Sequence, residues 1–466
     1  MNTDSAPPGF RHPGFDGRIG FARADITPPI GIYARNWGAA AHDLAESLHR
    51  PLNLTAMVVS DRDAGQQLVL LEGDLGWWRG LDVWARFQAR LLTALRLEPE
   101  SLIFSLTHSH SAPPLMHADP RLPGGALPGV WLDSILETSI AVVAEATARR
   151  EPAALEWHTG CCRLAQTRDL ASPEPPTGRR ICGFDPSRQA DSTLLLGRAT
   201  DAEGKIMGVL VNYACHPTTL AFDNRSISPD YVGEMRATIE REIGGAPALF
   251  LQGASGELAP RYQYVSDTEV ADRHGRQLGF AALATLADME PPRTVLSFDH
   301  VVESGAPLAI WRHRPRALSP RLAASCHDVP IPLKDWPSAK SLEDAHATCQ
   351  DRTLKERLKR KLAIRRALGD DDHYALPFWV WRMGEAIWVG SSAESYSVFQ
   401  TTLRNRFPQT ALVCLNLING SIGYLPPDEL YDEDVYQVWQ TPFDRGGLEQ
   451  AIETMTSVIA RTIEEE

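Results

Sequence analysis

The sequence predicts an α/β protein, with strands alternating with flanking helices. Three observations carry that expectation. Short apolar runs rich in Val, Ile and Leu recur along the chain, each followed at once by small and polar residues, as in LVLLEGDLGWW around Asp74, SLIFSLTHSHS around His108 and IMGVLVNYACHPTTL around His216. Between such runs lie segments of helical period, WLDSILETSIAVVAEATARR and DYVGEMRATIEREIG. The composition, 43% hydrophobic and 23% charged over 466 residues, is that of a globular chain long enough to bury a large core. Buried strands alternating with helices gather polar residues at strand ends, so groups far apart in the chain can meet there.

Taken in order, the opening MNTDSAPPGFRHPGFDG is rich in Pro and Gly, and residues 1–18 are expected to form an N-terminal arm ahead of one domain spanning 19–466. That opening has neither the basic start nor the apolar stretch of a secretory signal. Further on, ALFLQGASGELAP and AIWVGSSAESYSVFQ repeat the strand-then-turn pattern, and LPFWVWRMGEAIWVGSS reads as two strands around a Met-Gly-Glu turn. Residues 304–374 carry the Pro-rich patches RHRPRALSPRL and VPIPLKDWP and are expected to be an insertion or lid. Within them RTLKERLKRKLAIRRAL, Arg352 to Leu368, has Leu every four residues among basic side chains, the pattern of a helix with a solvated face.

A formal net charge of -13 argues against a phosphate-backbone binder, so nucleic acid is excluded as a partner. No apolar run reaches the roughly 20 residues that span a bilayer, so no transmembrane segment is expected. The seven cysteines are odd in number and contain no C-x-x-C pair, which fits reduced thiols and a cytoplasmic location. The partner class left is a small-molecule or N-acyl substrate; a homo-oligomer stays open.

The stretch SLIFSLTHSHSAPP ends in two histidines one residue apart. Alternation along a strand would turn His108 and His110 to one face. Zinc wants about four ligands, and imidazole nitrogen and carboxylate oxygen both suit it. His216 after VNYAC and Glu394 after a Gly-Ser-Ser-Ala turn are the natural partners. Taken singly, His216 reads as a core histidine satisfied by a carbonyl, and Glu394 as a carboxylate in the first turn of a helix. Four strand-end coincidences together favour a site.

In their order, the blocks ADITPPIG, THSHSAPP, ACHPTTLAFDN with SPDYVGE, FLQGASGELAP, the Glu394 turn, and NGSIGYLPP with GGLEQ resemble the catalytic region of the neutral (non-lysosomal) ceramidases, from about Gly20 onward. The resemblance implies a zinc-dependent hydrolase cleaving an amide, and it alone implies that the α/β catalytic domain is built of mixed β-sheets with flanking helices. It implies zinc ligands at His108, His216, Glu394 and Tyr424, the last of which spacing alone does not nominate. It places His110 in acid/base or oxyanion duty and matches Arg168 to an active-site arginine. Asp74 and Asp230 match acidic positions, expected to orient a ligand histidine or shape the loop. Three departures stand out: Ala259 where the family has serine, Leu448 where it has tyrosine, and a chain ending at Glu466 with no room for the larger members' C-terminal immunoglobulin-like domain.

The leading expectation is therefore metal-activated water attacking an amide or ester of a small or N-acylated substrate. One alternative is a serine-type hydrolase using Ser255 in GASGE, or Ser392 in GSSAE, although neither segment is a G-x-S-x-G elbow. Another is a binding protein of the same fold without the chemistry. Trp37, Trp77 and Trp78 read first as core packing and second as the wall of an apolar pocket.

Overall fold

The computed structural model describes residues 9–63, 65–175, 178–369 and 371–465. Its largest sheet has eight strands, in spatial order Ala248–Gln252, Ile206–Tyr213, Thr193–Asp201, Glu151–Cys161, Gly14–Asp25, Asn53–Ser60, Gln67–Gly73 and Leu102–Leu106. The two outermost pairs are parallel and the inner pairs antiparallel, so the sheet is mixed. A second sheet runs Leu322–Pro332, His373–Met383, Ala386–Ser391 and Ala411–Leu415, with the last pair parallel.

Strand alternation decides what each sheet buries. In Asn53–Ser60, Met57 and Val59 face the second sheet, where they share a core with Trp381 and Trp388; Leu54, Ala56 and Val58 face the helices Leu81–Leu95 and Leu127–Ala148. The other half of the large sheet is covered by Tyr231–Glu242 and Thr268–Ala287, and the second sheet by Val398–Arg406 and Gly447–Glu464. The result is sheet against sheet with helices outside, an α/β architecture of mixed sheets. The turn between His373–Met383 and Ala386–Ser391 places Gly384 at φ 61, where a Cβ would meet the backbone of Gly14 and Phe15.

Several expectations change here. Residues 1–8 of the expected arm lie outside the described residues, but 9–18 are not an arm. Gly9–Phe10 pairs with Thr294–Glu303, and Gly14–Asp25 runs through the middle of the large sheet because Phe15, Ile19 and Phe21 are buried core. The segment 304–374 is only partly an insertion, since Leu322–Pro332 pairs along its whole length with His373–Met383. One helix, Leu127–Ala148, is long and apolar enough to cross a membrane by length and composition. Trp131, Ile135, Val142 and Ala146 recur at helical spacing on its buried face and pack on the large sheet, as a core helix does. All seven cysteines are free.

Candidate active site

His108, His216 and Arg168 follow the C-terminal ends of strands, and Glu394 and Tyr424 lie inside short ones. Leu102–Leu106 ends two residues before His108, whose φ of 69 lies in the left-handed region that side chains rarely adopt. Its backbone N–H donates to Leu75 O at 2.9 Å and its Nδ1 to Gly76 O at 3.1 Å. His110 comes after this reversal, its ring 4.7 Å from that of His108. The two imidazoles therefore meet through a turn, not through strand alternation.

His216 follows Ile206–Tyr213, and both its backbone N–H (2.8 Å) and its Nδ1 (3.1 Å) donate to Leu258 O. Glu394 lies in the short strand Ala393–Ser395, which pairs in parallel with Gly423–Leu425 so that Glu394 stands beside Tyr424. The Glu394 Oε2 atom is 3.1 Å from His216 Nε2 and 3.4 Å from His108 Nε2. Arg168 donates to Tyr424 Oη at 3.2 Å and to Gly256 O at 2.7 Å. His108, His110, His216, Glu394, Tyr424 and Arg168 are thus gathered in one place, from five separate stretches of chain.

The donor set has a specific electrostatic problem. A carbonyl oxygen only accepts, so the Nδ1 atoms of His108 and His216 carry their protons and their Nε2 atoms present lone pairs. Those lone pairs point at a carboxylate oxygen. Something positive must lie between: a proton on one Nε2, or a cation. The proton is disfavoured at His216, whose imidazole burial and then Arg168 push down to about 3. His110 is likewise pushed well below 6.5, by burial and by its imidazole neighbours. Burial opposes ionisation of Glu394, but His108 and His216 outweigh it and hold the carboxyl well below 4.5. Burial and Glu394 push the Tyr424 phenol well above 10, with Arg168 opposing. One nitrogen from each of His108, His110 and His216 lies within 4.8 Å of the others. Nitrogen and oxygen donors of this kind, with the second ring nitrogen tied to a carbonyl, fit a zinc ion.

Neither expected acidic helper reaches a histidine. Asp74 instead takes Arg236 Nη1 at 2.7 Å and Nη2 at 2.6 Å, and Glu72 joins the same guanidinium. Asp230 caps the helix Tyr231–Glu242 through Tyr231 N–H and holds Leu220 N–H at 2.9 Å. Backbone carbonyls of Gly76 and Leu258 do the orienting that carboxylates were expected to do. Ser255 is buried, its hydroxyl bonded to Gln252 Nε2 at 2.5 Å, and neither it nor Ser392 lines the cavity. Ala259 and Leu448 are also buried away from the cavity, Leu448 in the core under the second sheet, so those two departures do not alter its wall.

The cluster opens into a cavity of about 510 Å³, in the range of small-molecule sites. Trp37 and Trp77 line it and flank His110 at 5.2 and 4.7 Å, whereas Trp78 packs mainly in the core against Trp84, Phe87 and Phe104. The basic helix Arg352–Leu368 is not merely solvated: Glu356, Arg357, Arg360 and Ile364 form part of the cavity wall. Sequence reasoning missed Arg79, Asn36, Tyr264, Tyr436 and Trp439, which also line it. For Arg79 the available signal was its place two residues after Trp77, at the end of an already suspect strand.

No protein-family model matches the chain, and no curated protein matches it by sequence. Solved structures do match its fold. A neutral ceramidase from Pseudomonas aeruginosa and a structure described as a ceramidase complexed with C2 each align with a TM-score of 0.65 and 17% identity, covering 96% of this chain and 74% of theirs.

Proposed function

The chain has a neutral ceramidase-like fold, and we propose that it is a zinc-dependent hydrolase of an amide bond in a small or N-acylated substrate. The observation that carries this reading is the convergence of His108 Nε2, His216 Nε2 and Glu394 Oε2 within 3.1–3.4 Å, with the protons of both rings committed elsewhere. His108, His216 and Glu394 would hold the ion, and Tyr424, beside Glu394 in register, would offer a phenol oxygen. A zinc ion there would polarise the amide carbonyl and bring the pKa of water from about 15.7 toward 7.

The chain's own groups then divide the remaining work. Arg168 fixes the Tyr424 oxygen and presents positive charge where the carbonyl oxygen becomes negative. His110, with Nε2 3.3 Å from His108 Nε2, takes a proton from the attacking water and passes it to the leaving nitrogen. The water oxygen joins the acyl carbon, the C–N bond breaks, and the products are a carboxylate and an amine. An ester fits the same scheme. The serine reading has no such support, because the Ser255 hydroxyl faces Gln252. Chelation should abolish amide hydrolysis and added zinc should restore it; full activity after verified metal loss would overturn the proposal.

A further inference from the structure

Beyond the cluster, the cavity has a second chemical feature that amide hydrolysis does not use. Away from Glu394 and Arg168, Arg79, Arg357 and Arg360 line it, with the Glu356 carboxylate beside them. Arg79 is the most enclosed. Its side chain is 9% exposed, and its Nε has no hydrogen-bond partner among the described residues. Its Nη2 donates to Asn36 Oδ1 at 2.8 Å, and the guanidinium lies 4.3 Å over the Trp77 ring. Glu356 approaches only to 3.8 Å from Arg79 and 3.5 Å from Arg360, too far for hydrogen bonds to either.

An enclosed guanidinium is expensive unless its charge is met. Here Arg79 and Arg360 share one nearby carboxylate, Glu356, which hydrogen-bonds neither. Burial, and next Arg360, push the Arg79 guanidinium down to about 9. Asn36 binds the two ends of this region together, because the amide that receives Arg79 also donates to His110 O at 3.2 Å and Ala112 O at 2.5 Å. One indole, that of Trp77, touches both the Arg79 guanidinium, 4.3 Å from its centroid, and the His110 imidazole, 4.7 Å from it. The positive wall is thus one aromatic ring away from the group assigned to proton transfer, not a lipid chain away.

Resting on the hydrolase reading for the identity of the bond cleaved, we infer that the substrate is an amide bearing a carboxylate close to the scissile bond, with that carboxylate held by Arg79 and Arg360 and the chain between them lying on Trp77. Guanidinium groups meet a carboxylate with charge-assisted hydrogen bonds, and Arg79 Nη1, which Glu356 approaches only to 3.8 Å, has no hydrogen bond to that carboxylate. Arg357, stacked 4.4 Å over Trp439 at the same wall, adds to the positive potential without being enclosed.

The test compares N-acylglycine with the N-acylglycinamide of the same acyl group, a neutral probe of nearly equal shape. Zinc-loaded wild type should favour the carboxylate by about 100-fold in kcat/KM, and Arg79→Met should reduce that ratio to about 3-fold or less, since charge-assisted bonds of this kind discriminate by roughly ten- to a hundredfold. Arg360→Met, on a partly exposed helix, repeats the test should Arg79→Met fail to fold. A second readout needs no turnover: thermal stabilisation of the protein by each probe, larger for the carboxylate in wild type and equal for both in the variants. Hydrolysis of both probes without preference overturns this inference and leaves the hydrolase reading intact. Arginine-dependent binding of the carboxylate without hydrolysis does the reverse. Absence of any Arg79- or Arg360-dependent preference in either readout overturns it outright.

Discussion

Two buried polar clusters lie on neighbouring strand ends and differ in one respect. In the first, Arg236 sits between Glu72 and Asp74 at 2.5 to 2.7 Å, so the carboxylates and their cation all come from the chain. Burial raises the Glu72 carboxyl, with Arg236 opposing, which brings that cluster toward electrical balance. In the second, Glu394 meets the Nε2 atoms of His108 and His216, and the nearby guanidinium of Arg168 is bonded to Tyr424 and Gly256 instead. The first cluster is closed and the second is open. The lesson is that buried charge alone does not mark a site; a buried anion with no cation of its own does.

That contrast predicts which substitutions remove function and which remove stability. The largest effect belongs to the open cluster. His110→Ala should lower kcat by about 10² to 10⁴-fold, the usual contribution of a positioned acid/base, while zinc content stays unchanged. A loss of zinc in parallel would mean that His110 is a ligand, as its nitrogen's proximity to those of His108 and His216 allows.

In the closed cluster the expected loss is of stability. Arg236→Met strands Glu72 and Asp74 and should cost about 3–5 kcal/mol in denaturant unfolding, whereas replacing all three by apolar residues of similar volume should cost much less. Zinc stoichiometry of the folded fraction should match wild type. Coupled loss of metal would blur the distinction between the clusters.

The smallest effect concerns Asp230. Burial pushes its carboxyl up to about 6 from an ordinary 3.8. The folded state therefore holds the proton more tightly than the unfolded chain, and this group's contribution to stability declines as pH rises from about 4 to 6. Leu220 N–H and Tyr231 N–H bind different oxygens of Asp230, so Asp230→Asn keeps an acceptor for one of them, removes the titrating group and should flatten that decline; Asp230→Ala should cost about 1 kcal/mol as a lost cap. Neither should release zinc, because Asp230 touches no histidine.

The open cluster was largely legible in the sequence, and the reason is local. His108, His216 and Glu394 each sit just past a recognisable apolar run, so those strand ends could be found without knowing which sheet they join, whereas only the family resemblance points to Tyr424 and Arg168. The partnerships of Asp74 were not legible, since Arg236 is 162 residues away and lies within an ordinary helix. The same holds for Arg79 and the basic helix. Amphipathic spacing told that Arg352–Leu368 is a helix but could not tell that the face carrying Arg360 meets Asn36. Residues 9–18 misled for the opposite reason: Gly and Pro signalled looseness, while Phe15 and Ile19 anchored a central strand.

In the proposed hydrolase, Glu394, His108 and His216 are completed by a cation. Elemental analysis of zinc in purified protein, beside His216→Ala and Glu394→Gln variants shown to be folded, tests it most directly. Wild type should carry stoichiometric zinc and both variants should lose it. Equal zinc in all three proteins, or a wild type that hydrolyses amides while free of metal, would contradict it.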